Sequence, residues 1–324
     1  MTEILDVDLV SFERGDATAR AAVVDGVMRS LETGFVFATH DLSTDLLDSA
    51  YAMLGQFFAL PSEWKQRWVA PGSHGQTGYT GLLIETAASA DVADWKEMLN
   101  WGRDVPSAHP LRRRYPHQYC DQVLPEADVP GITATLEEFH TRLVGLQTRF
   151  LRIIAVGLGV DEFYFDSMIR DGATLSRAIR YPAMHEAPGV EHVWAAEHGD
   201  INLVTALPRA TARGLQVKVQ GEWTDAVPPD DHVILNTGLM LERLTNGRLA
   251  AGRHRVIADA DQPGERLSVV QFLHPSPWTI LDPLDTCVTA ERPRRWAAME
   301  AGAMLDQVLY EINLIGPEAE GDDA

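Results

Sequence analysis

The segment Glu197-His198-Gly199-Asp200 sets an imidazole and a carboxylate two residues apart, and His254-Arg255-Val256 supplies a second imidazole later in the chain. Two imidazoles and one carboxylate occupy one face of an octahedral metal and leave three positions open. That is the arrangement a non-haem Fe(II) centre needs to hold a bidentate co-substrate together with O2. Zinc is better served by a tetrahedral set, and Cys120 and Cys287 do not form a cluster for one. The His-x-Asp pair carries little weight alone, because a chain with 11 His and 47 acidic residues produces such pairs by chance. A surface histidine with a local partner is the commoner explanation. The surroundings change this. Arg266-Leu267-Ser268 follows His254 and opens a strongly apolar run, Val269-Val270-Gln271-Phe272-Leu273. An arginine at the start of a barrel strand can point inward, where its planar fork holds a carboxylate bidentately and Ser268 adds a hydroxyl donor. A buried guanidinium without an anion is costly, so burial of Arg266 would imply a carboxylate ligand. Glu197 is a rival carboxylate, but neighbouring strand residues point to opposite faces, so it should turn away from His198.

These residues need strands to position them. From 175 to 285 the sequence carries short β-prone runs bounded by Gly, Pro, Asn or Asp: 175–181, 201–207, 215–219, 232–236, 253–258 and 267–273. The helices that parallel βαβ units require are missing between them, so a double-sheet jelly roll is expected. Residues 1–174 read as mainly helical. Ala19, Ala22, Val23, Val27 and Leu31 recur at helical spacing and stop at Gly34, before a short strand from Phe35 to Ala38. A second helix runs from about Asp45 and ends before Pro61. Leu136, Phe139, Leu143, Leu146 and Phe150 mark a central packing helix over 132–158. Residues 286–324 are expected to hold a helix from Arg292 to Ile312 that packs back on the barrel, then a frayed acidic tail.

Composition narrows the function classes. With 45% hydrophobic residues in 324, the chain can bury a substantial core. A formal net charge of -20 argues against a sequence-independent grip on nucleic acid, and the run Arg112-Arg113-Arg114 is too short to reverse that. No basic region followed by an apolar run of secretory length opens the chain, and no apolar stretch reaches membrane-spanning length. Two cysteines in unrelated segments suit a reducing compartment, so a cytoplasmic protein without a membrane partner is expected.

In order along the chain, Glu32-Thr33-Gly34-Phe35-Val36, Asp94-Trp95-Lys96-Glu97, Arg180-Tyr181-Pro182, Asn236-Thr237-Gly238 and Leu244-Thr245-Asn246-Gly247-Arg248 before His254 complete a pattern. Together with the His-x-Asp and Arg-x-Ser motifs, the sequence resembles the isopenicillin N synthase-like branch of the Fe(II)/2-oxoglutarate-dependent oxygenases over nearly its whole length. The resemblance implies a mainly β protein with flanking helices and a double-stranded β-helix core. It implies Fe(II) held by His198, Asp200 and His254, with 2-oxoglutarate and O2 as co-substrates. It further implies that Arg266, Ser268 and Tyr181 bind the far carboxylate of 2-oxoglutarate. The expected reaction oxidises an unactivated C–H bond of a small molecule, with hydroxylation favoured over desaturation or cyclisation, and releases succinate and CO2. Retention of Asp200 argues against halogenation, since halogenating relatives carry a small residue there.

The chain departs from the family pattern at Gly199, where Thr or Ser is usual, and at Ser176-Arg177-Ala178-Ile179-Arg180, which is more basic. Arg177, Arg180 and Lys96 are therefore candidates to meet an anionic substrate, with strand-edge or surface ion pairs as the alternative. They favour a polar, amino-acid-like metabolite. Two competing functions stand beside this one. One is an oxidase of the same scaffold that needs no 2-oxoglutarate, and the other is a non-catalytic jelly-roll protein that binds a small acid.

Overall fold

The computed structural model describes residues 3–86, 92–258 and 264–311. In chain order its principal strands are β1 (Asp6–Asp8), β2 (Phe35–Thr39), β3 (Gly78–Thr80), β4 (Glu97–Gly102), β5 (Leu175–Tyr181), β6 (Ala195–His198), β7 (Val204–Ala210), β8 (Leu215–Val219), β9 (Glu222–Asp225), β10 (His232–Thr237), β11 (His254–Val256) and β12 (Arg266–Leu273). A large sheet runs β1-β2-β10-β7-β12-β5-β4-β3, and a smaller one runs β6-β11-β8-β9. All these pairings are antiparallel except β1 with β2. Phe35, Ile179 and Ile234 from the large sheet share one apolar cluster with Ala195, Val217 and Val256 from the small one, so the two sheets face each other.

The period-two pattern of β12 explains how one strand serves two environments. Val269 and Leu273 join the main apolar cluster with Phe139, Leu143, Leu146 and Phe150 of the helix Ile132–Leu158, while the alternate residues face the smaller sheet. The helix ends at Gly159, whose φ of 75° supplies the left-handed cap. Gln147 on this helix donates to the carbonyls of Val204 and Gln271, each at 2.9 Å, where β7 and β12 slip register between Val269 and Gln271. The helix thereby satisfies backbone groups that a bulge exposes.

Several elements differ from the expected pattern. The run 201–207 becomes a strand only from Val204. Before it the chain bends, because Leu239 and Met240 of the helix Leu239–Leu244 donate to the carbonyls of Asp200 and Ile201 at 2.8 and 3.0 Å. The last helix is Ala301–Glu311 and does not begin at Arg292. Pro293 lacks an amide hydrogen, and Asn246 holds the preceding segment by donating to the carbonyls of Arg292 and Pro293 and accepting from the amide of Arg295. Met299–Glu300 then pairs with Ile280–Leu281 as a two-stranded ribbon. Ile312 and the acidic tail lie outside the described residues. Strands β1 to β4 come from the section read as mainly helical, so the division drawn at 174 cuts a continuous sheet.

One close approach ties the first section to the second. Gly34 has φ of 83°, and a side chain there would come within 2.6 Å of the Gly252 Cα. A side chain on Gly252 would in turn meet the Phe35 ring at 2.7 Å. Only two glycines allow the backbones to pass so closely.

Candidate active site

His198 ends β6 and His254 begins β11, and the two are direct cross-strand partners in the small sheet. Asp200 follows where the chain leaves β6. Ligand atoms of all three lie within 4.8 Å of one another, with His254 Nε2 3.8 Å from Asp200 Oδ1. Each imidazole has its second nitrogen committed: His198 Nδ1 donates to the Ala196 carbonyl at 2.8 Å and His254 Nδ1 to the Gly252 carbonyl at 3.1 Å. These bonds assign the tautomers and leave both Nε2 lone pairs for a metal. Asp200 is arranged alike. Its Oδ2 accepts from Thr205 Oγ1 at 2.6 Å and from Asn236 Nδ2 at 2.7 Å, leaving Oδ1 for coordination. Thr205 and Asn236 are themselves partners between β7 and β10. Burial opposes the charge of Asp200, but the two imidazoles and these hydrogen bonds outweigh it and hold the carboxyl below its ordinary range.

A cavity of about 370 Å³ opens beside the triad. Arg266 lines it and is 1% exposed. Its guanidinium donates to Ser268 Oγ at 2.7 Å and to the Ala212 carbonyl at 3.2 Å, and it stands 5.1 Å from the centre of the Tyr181 ring. Tyr181 is the register partner of Arg266 across β5 and β12, so both share one face. Among the described residues no carboxylate pairs with Arg266. Burial lowers its pKa, a sign of a cation left without a counter-ion.

The other expected cations are already engaged. Lys96 is buried between Glu85 and Asp94, with Nζ 2.8 Å from a carboxylate oxygen of each. Arg177 faces the cavity but bonds Asn100 Oδ1 at 2.7 Å and lies 3.4 Å from Glu85. Burial opposes the Glu85 charge, yet Lys96 and Arg177 bring its pKa down to about 2. Arg180 corrects the expectation of a substrate contact. Strand parity turns it to the opposite side of β5, where it pairs with Glu97 at 2.6 Å and Glu265 at 2.7 Å. Glu97 also takes Lys65 and Tyr79.

Glu197 turns outward to Lys218 at 3.0 Å, as strand parity requires. Trp101 and Trp194 are buried and donate to the backbone carbonyls of Leu136 and Pro182, and Trp278 stacks on Tyr115. The Arg112–Arg114 run closes a short helix, with Arg112 paired to Asp104 and Asp121. Sequence reasoning gave no role to Asn236 or Thr205, which no spacing rule links to Asp200. It also missed Asp94, whose Oδ1 accepts the Ala196 amide at 3.0 Å and so fixes the peptide that orients His198.

Comparison with known proteins accords with this geometry. Residues 7–126 match the model for the non-haem dioxygenase in morphine synthesis N-terminal domain, and residues 174–275 match the 2OG-Fe(II) oxygenase superfamily. A solved structure described as a 2OG-Fe(II) oxygenase family protein from Caulobacter crescentus superposes with a TM-score of 0.84 at 31% identity, covering 96% of this chain and 100% of that one. The chain belongs to the 2OG-Fe(II) oxygenase superfamily. This oxygenase is also 26% identical to a full-length Neurospora crassa protein solved with alpha-KG and thymine, with a TM-score of 0.82 and coverage of 94% and 96%. Mugineic-acid 3-dioxygenase of Hordeum vulgare is 27% identical over 304 residues, 93% of this chain and 83% of that protein. The fold is the double-stranded β-helix of such enzymes, and the oxygenase is a dioxygenase that uses Fe(II) and 2-oxoglutarate. The donor set fits that metal, and the unpaired Arg266 fits a dicarboxylate. No helix among the described residues is long and apolar enough to cross a membrane.

Proposed function

We propose that this oxygenase hydroxylates an unactivated C–H bond of a small polar molecule, using His198, Asp200 and His254 to hold iron and Arg266, Ser268 and Tyr181 to hold the far carboxylate of 2-oxoglutarate. The observation that carries the assignment is the convergence of three ligand atoms within 4.8 Å beside a buried guanidinium that has no carboxylate partner among the described residues. When bound, iron and 2-oxoglutarate supply the oxidising power, with succinate and CO2 released.

The chain's own residues do the rest. The Ala196 and Gly252 carbonyls fix both imidazole rings, and Thr205 with Asn236 keeps one Asp200 oxygen occupied. The fork of Arg266 would hold the far carboxylate of the co-substrate, with the Tyr181 ring 5.1 Å from its guanidinium carbon. The cavity is near the lower end of the roughly 300–1,000 Å³ usual for ligand pockets and must also take the co-substrate, which favours a small second substrate. Leu305 and Leu309 of the last helix give it an apolar wall, which helps exclude water from the reacting bond. The Neurospora crassa neighbour solved with thymine is consistent with a small polar substrate. Two free cysteines suit a cytoplasmic setting.

The test is anaerobic addition of Fe(II) and 2-oxoglutarate, watching for the visible charge-transfer band of the chelate, followed by a substrate screen scored by succinate. A band and substrate-stimulated succinate are expected. Iron binding without a 2-oxoglutarate-dependent band would overturn the assignment.

A further inference from the structure

Resting on that reading, we propose that His274 is a substrate-binding residue that donates a hydrogen bond from Nε2 to a carbonyl oxygen of an uncharged substrate. His274 follows β12 and lines the cavity beyond Phe272. It is 7% exposed, and its Nδ1 is buried without a hydrogen-bond partner. Among the described residues nothing bonds Nε2 either. Buried polar atoms are nearly always paired, so an imidazole with its Nδ1 buried and unpartnered and its Nε2 free toward open space is arranged for a ligand. Burial pushes its pKa down to about 4, so near neutrality the ring carries one hydrogen. An orphaned buried N–H is rarer than an orphaned acceptor, which favours placing that hydrogen on Nε2, toward the cavity.

The charges around it define the partner. Asp94, Lys96, Glu85 and Arg177 neutralise one another, and Glu197 is held by Lys218. Arg253 is exposed but also lines the cavity, its guanidinium lying against Gly199, and Arg266 is reserved for the co-substrate. A carboxylate brought to His274 would add a buried negative charge near Asp200, where Arg177, the cation whose charge reaches His274, is already paired with Glu85. A neutral carbonyl would accept the Nε2 hydrogen without that cost, while Phe272, Leu305 and Leu309 cover an apolar flank. The class is thus an amide, lactam or ketone with a compact hydrocarbon portion.

The experiment forms the anaerobic complex with Fe(II) and 2-oxoglutarate in the wild type, His274→Phe and His274→Gln. Each is titrated with nicotinamide against nicotinate and with 2-pyrrolidone against 5-oxoproline, read as perturbation of the visible band. All three proteins should form the band equally, which separates this residue from the iron and 2-oxoglutarate sites and shows that the variants fold. The neutral member of at least one pair should perturb the wild type at lower concentration than its acid. His274→Phe should weaken that response about tenfold, the scale of one hydrogen bond, and His274→Gln should recover most of it. Preference for the acids, no preference in either pair, or a Phe variant that responds like the wild type overturns the proposal. A wild type that forms no band removes the reading beneath it, and the proposal with it.

Discussion

The two ends of the cavity are built by different means. At the iron end backbone and cross-strand groups set the ligands: carbonyls at Ala196 and Gly252 orient the imidazoles, and a β7–β10 cross-strand pair holds Asp200. At the substrate end the anchors come from separate segments. Glu85 lies beyond β3, Asp94 and Lys96 precede β4, and Arg177 sits within β5. Sheet hydrogen bonding positions a ligand within the tolerance a metal demands, whereas the ion-pair chain touches that frame only through Asp94, which also holds the Ala196 amide. The first end suits a shared chemistry and the second suits a changing substrate.

That contrast breaks most severely if the iron end tolerates change. Asp200→Ala should abolish succinate formation and sharply weaken Fe(II) binding in equilibrium dialysis; full turnover in the variant would refute the ligand set. One shell out, Asn236→Ala should lower Fe(II) affinity about 10- to 100-fold, as for other groups that orient metal ligands, with the circular dichroism spectrum unchanged. Arg266→Lys keeps the charge and loses the planar fork. Its apparent 2-oxoglutarate affinity should fall about tenfold, given roughly 1.5–3 kcal/mol for a charged hydrogen bond, and an unchanged value would assign the co-substrate to another residue.

The substrate end should respond through stability and pH. The folded pKa of Glu85 is depressed to about 2, so its ion pairs stabilise the fold fully above the unfolded pKa of about 4.3 and lose that contribution as pH falls toward 2. Glu85→Gln should therefore lower the melting temperature at pH 7 and narrow its gap to the wild type below pH 4. A gap that widens in acid would contradict the pairing. The smallest effect belongs to a part-exposed ion pair at the edge of the cavity. The Glu197–Lys218 pair is about one-third exposed, and such pairs contribute about 0–1 kcal/mol, so Glu197→Gln should leave iron affinity and activity near wild type.

Legibility in the sequence followed the same divide. Strand β5 and the helix Ile132–Leu158 follow local signals, a short run before Pro182 and a helical apolar pattern, that local reading captures with their limits. The convergence of His198, Asp200 and His254 and the burial of Arg266 follow motifs that local spacing makes readable. Arg180 was misread because its partner Glu97 lies 83 residues away, and only the β4–β5 pairing brings the two together. The bend at 201–203 and the late start of the last helix escaped for a similar reason, since bonds from Leu239, Met240 and Asn246 decide them. His274 was invisible because its interest lies in what fails to touch it.

The passage of Gly34 against Gly252 has a consequence for evolution and engineering. The Gly252 carbonyl that aims His254 rests on backbone contributed by the opening section of the chain, and Phe35 meets the His254 ring edge-on with centroids 6.0 Å apart. The catalytic half of the polypeptide is therefore not a transplantable module. Grafted without its first two strands, it would carry every ligand and lack the surface against which one of them is set.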